Sequence, residues 1–224
     1  MFDPSRLEPE GPHRQPIFRV PPATLFLAVA LIVVFLLLRL LPDADVEWLL
    51  FTLGFQPDYF LWALQGRGDA APAVWPLATH LLLHYDALHL IVNCGFLLAF
   101  ASVVERRFGA LPFLLLFLLC GAVGALAQVW LVFDAADRAS LLIGASGGIF
   151  GLMGVAILAG GSFLRERAGR VILVLMGINV AVGLMSEAGL VGGYLIGWQA
   201  HAGGFLAGLA IGWLLSRRGT GARS

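Results

Sequence analysis

Long runs of apolar residues separated by short polar segments dominate the chain from residue 22 onward. Six of these runs come close to the ~20 residues that a helix needs to cross the hydrocarbon core of a bilayer. The predicted spans are residues 24–41, 86–104, 111–133, 141–163, 171–185 and 194–215. The pattern therefore predicts an all-α polytopic membrane protein built as a bundle of six transmembrane helices.

The segment between the first two spans, residues 43–76, departs from this pattern. Acidic residues are mixed in it with aromatic ones, and no stretch is long and apolar enough to cross a membrane. Aromatic side chains beside polar ones favour the interface between lipid and water. We therefore expect short helices that lie in the membrane interface between the first and second spans.

Polar residues flank the apolar region on both sides. Residues 1–21 form a polar N-terminal tail, residues 22–216 one membrane domain, and residues 217–224 a short basic C-terminal tail. The first apolar run is long enough to span and lacks a small-residue cleavage site. We interpret it as an anchoring helix and not as a signal peptide.

Composition agrees with a membrane domain. Of the 224 residues 59% are hydrophobic and 12% are charged, and the mean hydropathy is +0.89, whereas a soluble domain has about a quarter charged residues. The formal net charge is zero, so no basic field favours nucleic acid as a partner. Cys94 and Cys120 stand in apolar runs and are expected to be small buried hydrophobes, not a disulfide or a metal pair.

The arginines predict the orientation. If the N-terminus is cytoplasmic, eleven arginines fall on inner segments and three on outer ones. Such a positive-inside bias places both termini in the cytoplasm and the aromatic loop outside. The inner arginines are Arg6, Arg14, Arg19, Arg106, Arg107, Arg165, Arg167, Arg170, Arg217, Arg218 and Arg223, and the outer ones are Arg39, Arg67 and Arg138.

In this orientation spans two, four and six all begin at the outer face, and each carries polar residues near that end. His89 and Asn93 lie in span two, Ser146 in span four and His201 in span six. An entry of about five to seven residues at ~1.5 Å per residue places them roughly 8–10 Å below the outer surface. Three helices are thus predicted to deliver polar side chains to one depth.

Glycine stripes predict that spans four and six touch. Gly204, Gly208 and Gly212 recur every four residues after His201, and span four carries a second stripe formed by Gly147, Gly151 and Gly154. Small residues at this spacing let helix backbones approach closely in lipid. Ordinary small-residue packing alone would give the same stripes.

The polar residues at this depth can form a nucleophilic site. A serine hydroxyl needs a base within hydrogen-bond reach, and the His201 imidazole can accept its proton and return it to a leaving amine. No acid stands near either residue in the spans, so a Ser146–His201 dyad is expected, with helix packing holding the imidazole. The Asn93 amide, His89 and the Ser146 N–H are candidate donors to an oxyanion.

Other polar residues have simpler interpretations. His80 and His84 have the i, i+4 spacing of a zinc pair, but no acid or cysteine completes a ligand set, so structural hydrogen bonding is preferred. Gln128 and Asn179 stand singly in spans three and five and are interpreted as interhelical contacts. Glu105, at the inner end of span two, is interpreted as part of a structural ion pair with Arg106 or as a cap.

Taken together, these motifs resemble the rhomboid family of intramembrane serine proteases. The resemblance covers about residues 22–216 and rests on four motifs in the family's order: His89-x-x-x-Asn93, Glu105-Arg106, Gly144-x-Ser146-Gly147 and Ala200-His201-x-x-Gly204-x-x-x-Gly208. It implies a six-helix bundle in which Ser146 attacks a peptide bond and His201 is base and then acid. It also implies that His89, Asn93 and the Ser146 amide stabilise the oxyanion.

The resemblance further implies an endopeptidase that cleaves transmembrane segments of other membrane proteins near their outer end. Its partners would be transmembrane substrates and the lipid bilayer, with no cofactor, metal or nucleic acid, and its location a bacterial inner membrane. Gly144, Gly147, Phe150 and Gly204 would support the site. Two positions depart from the family: Pro76 follows Trp75 where members often have arginine, and Phe150 stands where some have tyrosine.

Two rival functions belong to other classes. A non-catalytic member would bind transmembrane helices as a chaperone or quality-control factor, but such a protein would usually have lost Ser146 or His201. A small transporter would use His89 and His201 as a proton relay. No internal repeat, broken helix pair or intramembrane acid in the sequence supports that function.

Overall fold

The computed structural model describes residues 19–131, 140–159, 166–167, 169–187 and 197–220. In these residues the chain is helical, with one isolated antiparallel bridge between Phe55 and Leu142 and no strand, which confirms the all-α prediction. The helices are α1 (Pro22–Leu38), α2 (Asp43–Leu53), α3 (Pro57–Leu64), α4 (Ala70–Val74), α5 (Pro76–Thr79), α6 (Ala87–Phe96), α7 (Ser102–Phe108), α8 (Ala110–Trp130), α9 (Ser146–Ala159), α10 (Gly169–Glu187) and α11 (Trp198–Thr220). A short 3₁₀ turn follows α5 at His80–Leu82, and a π-helical segment, Leu97–Ala101, joins α6 to α7.

Within the part of the chain that the structure describes, two helices are long and apolar enough to cross a membrane. They are the continuous helix Ala87–Phe108, which contains α6 and α7, and α8. Three shorter apolar helices are Pro22–Leu38, Ser146–Leu158 and Gly169–Met185. The count of six spans stays a prediction.

The helices at the periphery of the bundle turn large apolar side chains away from the protein. Phe26 on α1, Leu111 on α8 and Val174 on α10 are 72%, 67% and 62% exposed. Large exposed apolar surfaces are uncommon on soluble monomers and mark contacts with other molecules or with membranes. These faces suit a lipid environment, while Leu31, Phe117, Leu152 and Phe205 pack inside the bundle.

Glycines bring α9 and α11 together at the centre of the bundle. Gly204 lies against the Gly147 carbonyl and Gly208 against the Gly151 carbonyl. Where a Cβ would stand on Gly154, the Phe205 carbonyl oxygen is 2.6 Å away. Backbones that approach this closely leave no room for side chains. The predicted contact between the two glycine stripes is confirmed.

The predicted start of the fourth span was wrong by five residues. The helix was expected from residue 141, but α9 begins at Ser146. Gly144 has φ +130°, which helical backbone cannot adopt and which favours glycine. Ser146 is therefore the first residue of the helix. Its depth below the outer membrane surface cannot be calculated from a helical rise per residue that begins at residue 141.

Three contacts hold the non-helical segment before α9. Leu142 exchanges backbone hydrogen bonds of 3.0 and 2.8 Å with Phe55. The Tyr85 hydroxyl donates to the Leu141 carbonyl at 2.7 Å. The Gly144 N–H donates to the His80 carbonyl at 2.9 Å. The loop that follows α1 thus fixes the chain just before Ser146.

That loop contains short helices, as the sequence predicts. Side chains tie them together: the Trp75 indole donates to the Thr52 carbonyl at 3.0 Å, and the Thr79 hydroxyl to the Leu53 carbonyl at 2.6 Å. These bonds give the loop its own structure, from which it can support residues 141–145. Its position in the membrane interface stays a prediction.

Glu105 joins the end of the second span to the beginning of the first. Its buried carboxylate accepts hydrogen bonds from the N–H groups of Ala23 and Thr24 at 3.0 and 2.7 Å, and from the Thr24 hydroxyl at 2.7 Å. The first N–H groups of a helix have no intrahelical partner and attract negative charge. Glu105 is therefore a cap of α1, one of its two expected roles.

Candidate active site

Ser146 and His201 meet at the end of the contact between α9 and α11. The distance between Ser146 Oγ and His201 Nε2 is 2.6 Å, within the usual range of a hydrogen bond. Ser146 is the first residue of α9, and His201 lies in the first turn of α11. The glycine contact between the helices holds both side chains in reach of each other without any rearrangement.

Phe150 lies one helical turn after Ser146 and covers one face of the imidazole. The two ring centroids are 4.6 Å apart and the rings are inclined by 24°. Phe150 is thus stacked on the imidazole of His201. Because the ring covers a face and leaves the edge free, both imidazole nitrogens can still make hydrogen bonds.

The second imidazole nitrogen contacts Asn179, for which the sequence predicts only an interhelical contact. Asn179 Oδ1 on α10 lies 3.0 Å from His201 Nδ1. The interhelical contact expected of Asn179 is thus made, but its partner is the imidazole itself. A single asparagine in an apolar span was the available signal, and nothing in the sequence pairs it with His201.

The His89 ring packs closely against Gly144, next to Ser146. A Cβ on Gly144 would stand 2.7 Å from His89 Cε1, 3.0 Å from His89 Nε2 and 3.7 Å from Ser146 Oγ. Glycine is therefore favoured here for two reasons: its φ of +130° is unfavourable for other residues, and a side chain would collide with the His89 ring.

Asn93 lies one turn below His89 on α6 and is buried. Its Nδ2 donates to the His89 carbonyl at 3.0 Å, and the His89 N–H donates to the Asp86 carboxylate at 2.8 Å. Asp86 thereby caps α6 and sets the turn that carries His89. An amide nitrogen has two N–H groups, so Asn93 retains a second donor beside the one bonded to His89.

Two further histidines lie near the site without joining it. His80 Nδ1 is 2.6 Å from the Pro76 carbonyl, which is the structural hydrogen bond expected of it. Burial lowers the pKa of His80 to about 4, so its ring is neutral at pH 7 and Nδ1–H is the donor. His84 packs edge-on against His89 with centroids 5.1 Å apart. In the described part of the chain no three His, Cys, Asp or Glu side chains are grouped to hold a metal.

Gly147 does not have the steric role expected of it. A Cβ there would find the Ala200 carbonyl oxygen at 3.5 Å and the Gly121 atoms at 3.8 Å, which are ordinary contacts. The close approach depends on the Gly147 carbonyl instead, because Gly204 lies against it. Where Gly147 and Gly204 face each other, the steric requirement for glycine is therefore at Gly204 on α11.

Comparison with known proteins agrees with this arrangement. Residues 71–218 match the family model described as the Rhomboid domain. The chain is 34% identical over 145 residues to "Rhomboid protease GluP" of Bacillus subtilis (strain 168), which covers 62% of this chain and 26% of the relative. It is 24% identical over 173 residues to "Rhomboid protease GlpG" of Haemophilus influenzae, covering 74% of this chain and 82% of the relative.

A plant protein is also similar. "RHOMBOID-like protein 6, mitochondrial" of Arabidopsis thaliana is 28% identical over 149 residues, 63% of this chain and 43% of the relative. The chain thus spans about a quarter of the Bacillus protein and less than half of the plant protein. The matched residues include α6 to α10 and α11 as far as residue 218, and these helices carry the residues described above.

Proposed function

The chain belongs to the rhomboid family and is thus an integral membrane protein, and from that premise we propose that it is an intramembrane serine endopeptidase. Its substrates are transmembrane segments of other membrane proteins, cut near their outer end. The observation that carries the proposal is the 2.6 Å hydrogen bond between Ser146 Oγ and His201 Nε2. Relatives named as proteases support the reaction class.

In the proposed reaction the Ser146 oxygen attacks the carbonyl carbon of the scissile peptide bond. His201 Nε2 takes the hydroxyl proton as the new C–O bond forms. The imidazolium then gives that proton to the leaving amine as the C–N bond breaks. Water repeats the sequence on the acyl-enzyme and restores Ser146. The chemistry uses no cofactor and no metal.

Charge develops on the carbonyl oxygen during both attacks, and the proposal assigns three donors to it. The Ser146 N–H begins α9, where it has no intrahelical acceptor and where the helix dipole favours an anion. The His89 ring lies against Gly144 next to Ser146, and Asn93 has its second amide N–H. Donors of this kind are each worth about 3–4 kcal/mol in the transition state.

The location of the site explains which substrates can be cut. A peptide bond within a transmembrane helix is covered by its own side chains and hydrogen bonds, so the segment must unwind before Ser146 can reach the carbonyl. We propose that small residues at the cleavage point and helix-destabilising ones nearby favour this step. The proposed location is a bacterial inner membrane, with residues 1–21 and 217–224 in the cytoplasm and residues 22–216 as the membrane domain.

Covalent labelling of the purified protein in detergent tests the nucleophile. We expect a fluorophosphonate or isocoumarin probe to modify the protein, and peptide mass spectrometry to locate the adduct on Ser146. The Ser146→Ala variant should not be labelled and should not cleave a model transmembrane substrate. Unimpaired cleavage by Ser146→Ala would exclude the proposed function.

Asn93→Ala tests the assignment of the oxyanion donors. We expect kcat to fall about 100- to 1,000-fold with little change in KM, because the lost donor acts on charge that exists only in the transition state. Steady-state cleavage in detergent measures both constants. An effect confined to KM would remove Asn93 from the oxyanion and leave it a residue that positions His89.

A further inference from the structure

Both nitrogens of the His201 imidazole have a partner, and the two partners lie on different helices. Nε2 is 2.6 Å from Ser146 Oγ on α9, and Nδ1 is 3.0 Å from Asn179 Oδ1 on α10. A neutral imidazole has a single N–H, so one nitrogen donates and the other accepts. For Nε2 to accept the serine proton, the imidazole proton must be on Nδ1, from where it can donate to Asn179 Oδ1.

We propose that Asn179 is a positioning residue for catalysis, which selects the Nδ1–H tautomer of His201 and so keeps Nε2 free to accept the Ser146 proton. The inference rests on the proposed function, because it gives Asn179 a task in the same reaction. It makes the site a Ser146–His201–Asn179 triad with a neutral third member. The dyad expected from the sequence, held by helix packing alone, is thereby extended.

The packing of α10 on α11 builds this contact. Gly183 is buried under the indole of Trp198, so the helices approach closely at this point. Asn179 precedes Gly183 by four residues and therefore lies on the same face of α10, one turn away. His201 follows Trp198 by three residues on the facing side of α11. The Asn179 amide thus reaches the imidazole because of where the two helices meet.

An amide acceptor suits both states of the base. When His201 takes the serine proton, both ring nitrogens carry hydrogen, and Asn179 Oδ1 continues to accept from Nδ1–H. The hydrogen bond then involves a cation and becomes stronger. A carboxylate would attract the imidazolium more, but a charge is costly to keep within an apolar bundle. Asn179 therefore supplies orientation without a permanent buried charge.

The kinetic test compares Asn179→Leu with Met176→Ala. Met176 is buried on the same face of α10, so its truncation loosens the helix contact without removing the acceptor. We expect Asn179→Leu to lower kcat and the rate of Ser146 labelling about 10- to 100-fold at nearly constant KM, since general base catalysis typically contributes 10²–10⁴-fold. Asn179→Asp, which restores an acceptor of the same shape, should recover most of the loss. Met176→Ala should lower the thermal midpoint while kcat stays near the wild-type value.

A spectroscopic test reports the tautomer directly. In protein labelled with [¹⁵N]histidine, the His201 signals, identified by their loss in His201→Gln, should show a protonated Nδ1 and an unprotonated Nε2. Asn179→Leu should shift the population toward the Nε2–H form, and Met176→Ala should not. If Asn179→Leu does not accumulate in membranes, Asn179→Ala removes the same acceptor with less bulk.

The possible outcomes separate this inference from the proposed function. An active wild type whose Asn179→Leu variant keeps the wild-type tautomer would overturn the inference alone, whether kcat falls or not. Equal kcat values for Asn179→Leu and Met176→Ala would overturn it as well. A wild-type protein that neither cleaves nor is labelled at Ser146 would overturn the proposed function, and the role of Asn179 in catalysis with it.

Discussion

Replacing His201 with alanine is expected to lower the rate of cleavage at least about 10⁴-fold, and replacing Ser146 should cost as much. Without the imidazole the serine hydroxyl keeps its proton and is a poor nucleophile. Without the hydroxyl the imidazole has no proton to accept. Because each side chain is useless without the other, the double variant should be no slower than either single variant. Cleavage of a transmembrane substrate in proteoliposomes under single-turnover conditions measures all three rates.

The control for this prediction is the fold of the variants. His201 packs on Phe150 and contacts Asn179, so its truncation could also disturb the bundle. His201→Gln retains more of the side-chain volume and should be as inactive as His201→Ala, while its thermal midpoint in detergent stays closer to that of the wild type. Losses that multiply in the double variant would contradict the prediction, because they would mean that the two residues act independently.

The helices were predictable because their signal is local. Apolar runs bounded by polar segments predict α1, α6 to α8 and α10 to within a few residues. The start of α9 could not be found in the same way. The segment before Ser146 is as apolar as the helix, and it is non-helical because Leu142 pairs with Phe55, some ninety residues earlier. Only Gly144 gives a local indication, and a glycine alone does not reveal its φ.

The candidate site likewise contains some contacts that the sequence predicts and others that depend on how the helices pack. Serine and histidine next to regularly spaced glycines predict that Ser146 and His201 meet, because the glycine spacing determines which faces of α9 and α11 touch. The partner of Asn179 depends on the packing angle between α10 and α11, and the spacing of residues along α10 does not determine that angle. The Asn93 hydrogen bond to the His89 carbonyl was missed for another reason, since a side chain that can serve an oxyanion can also serve its own helix.

Gly204 on α11 has no room for a methyl group, whereas Gly147 on the facing side of α9 has room. Alanine substitutions at these two positions should therefore have very different effects on stability. A Cβ on Gly204 would collide with the Gly147 carbonyl and lie 3.2 Å from the Cys120 carbonyl oxygen. Both obstacles are backbone atoms in packed helices, so α11 must move as a whole. We expect Gly204→Ala to destabilise the protein by about 1–3 kcal/mol, which is the usual cost of overpacking a core. Thermal unfolding in detergent measures this loss.

Activity should respond more strongly to Gly204→Ala than stability does. Gly204 lies one turn after His201, so a displacement of α11 is passed to the imidazole and lengthens its bond to Ser146. A misplacement of about 1 Å can cost about 100-fold in rate. We therefore expect kcat to fall by that order at a temperature where the variant is still folded, and the rate of Ser146 labelling to fall with it.

Two further alanine variants test whether the losses expected for Gly204→Ala arise from the close backbone contact between α9 and α11. Gly147→Ala adds a methyl group on the opposite side of the same contact, where its nearest neighbour is 3.5 Å away, and should leave the thermal midpoint almost unchanged. Gly177→Ala on α10 meets nothing within 4 Å and should stabilise the helix by about 0.5–1 kcal/mol while activity is retained. If Gly204→Ala behaved like these two, close backbone contact between α9 and α11 could not be what holds His201 against Ser146. The imidazole would then have to be held by Asn179 and Phe150 alone.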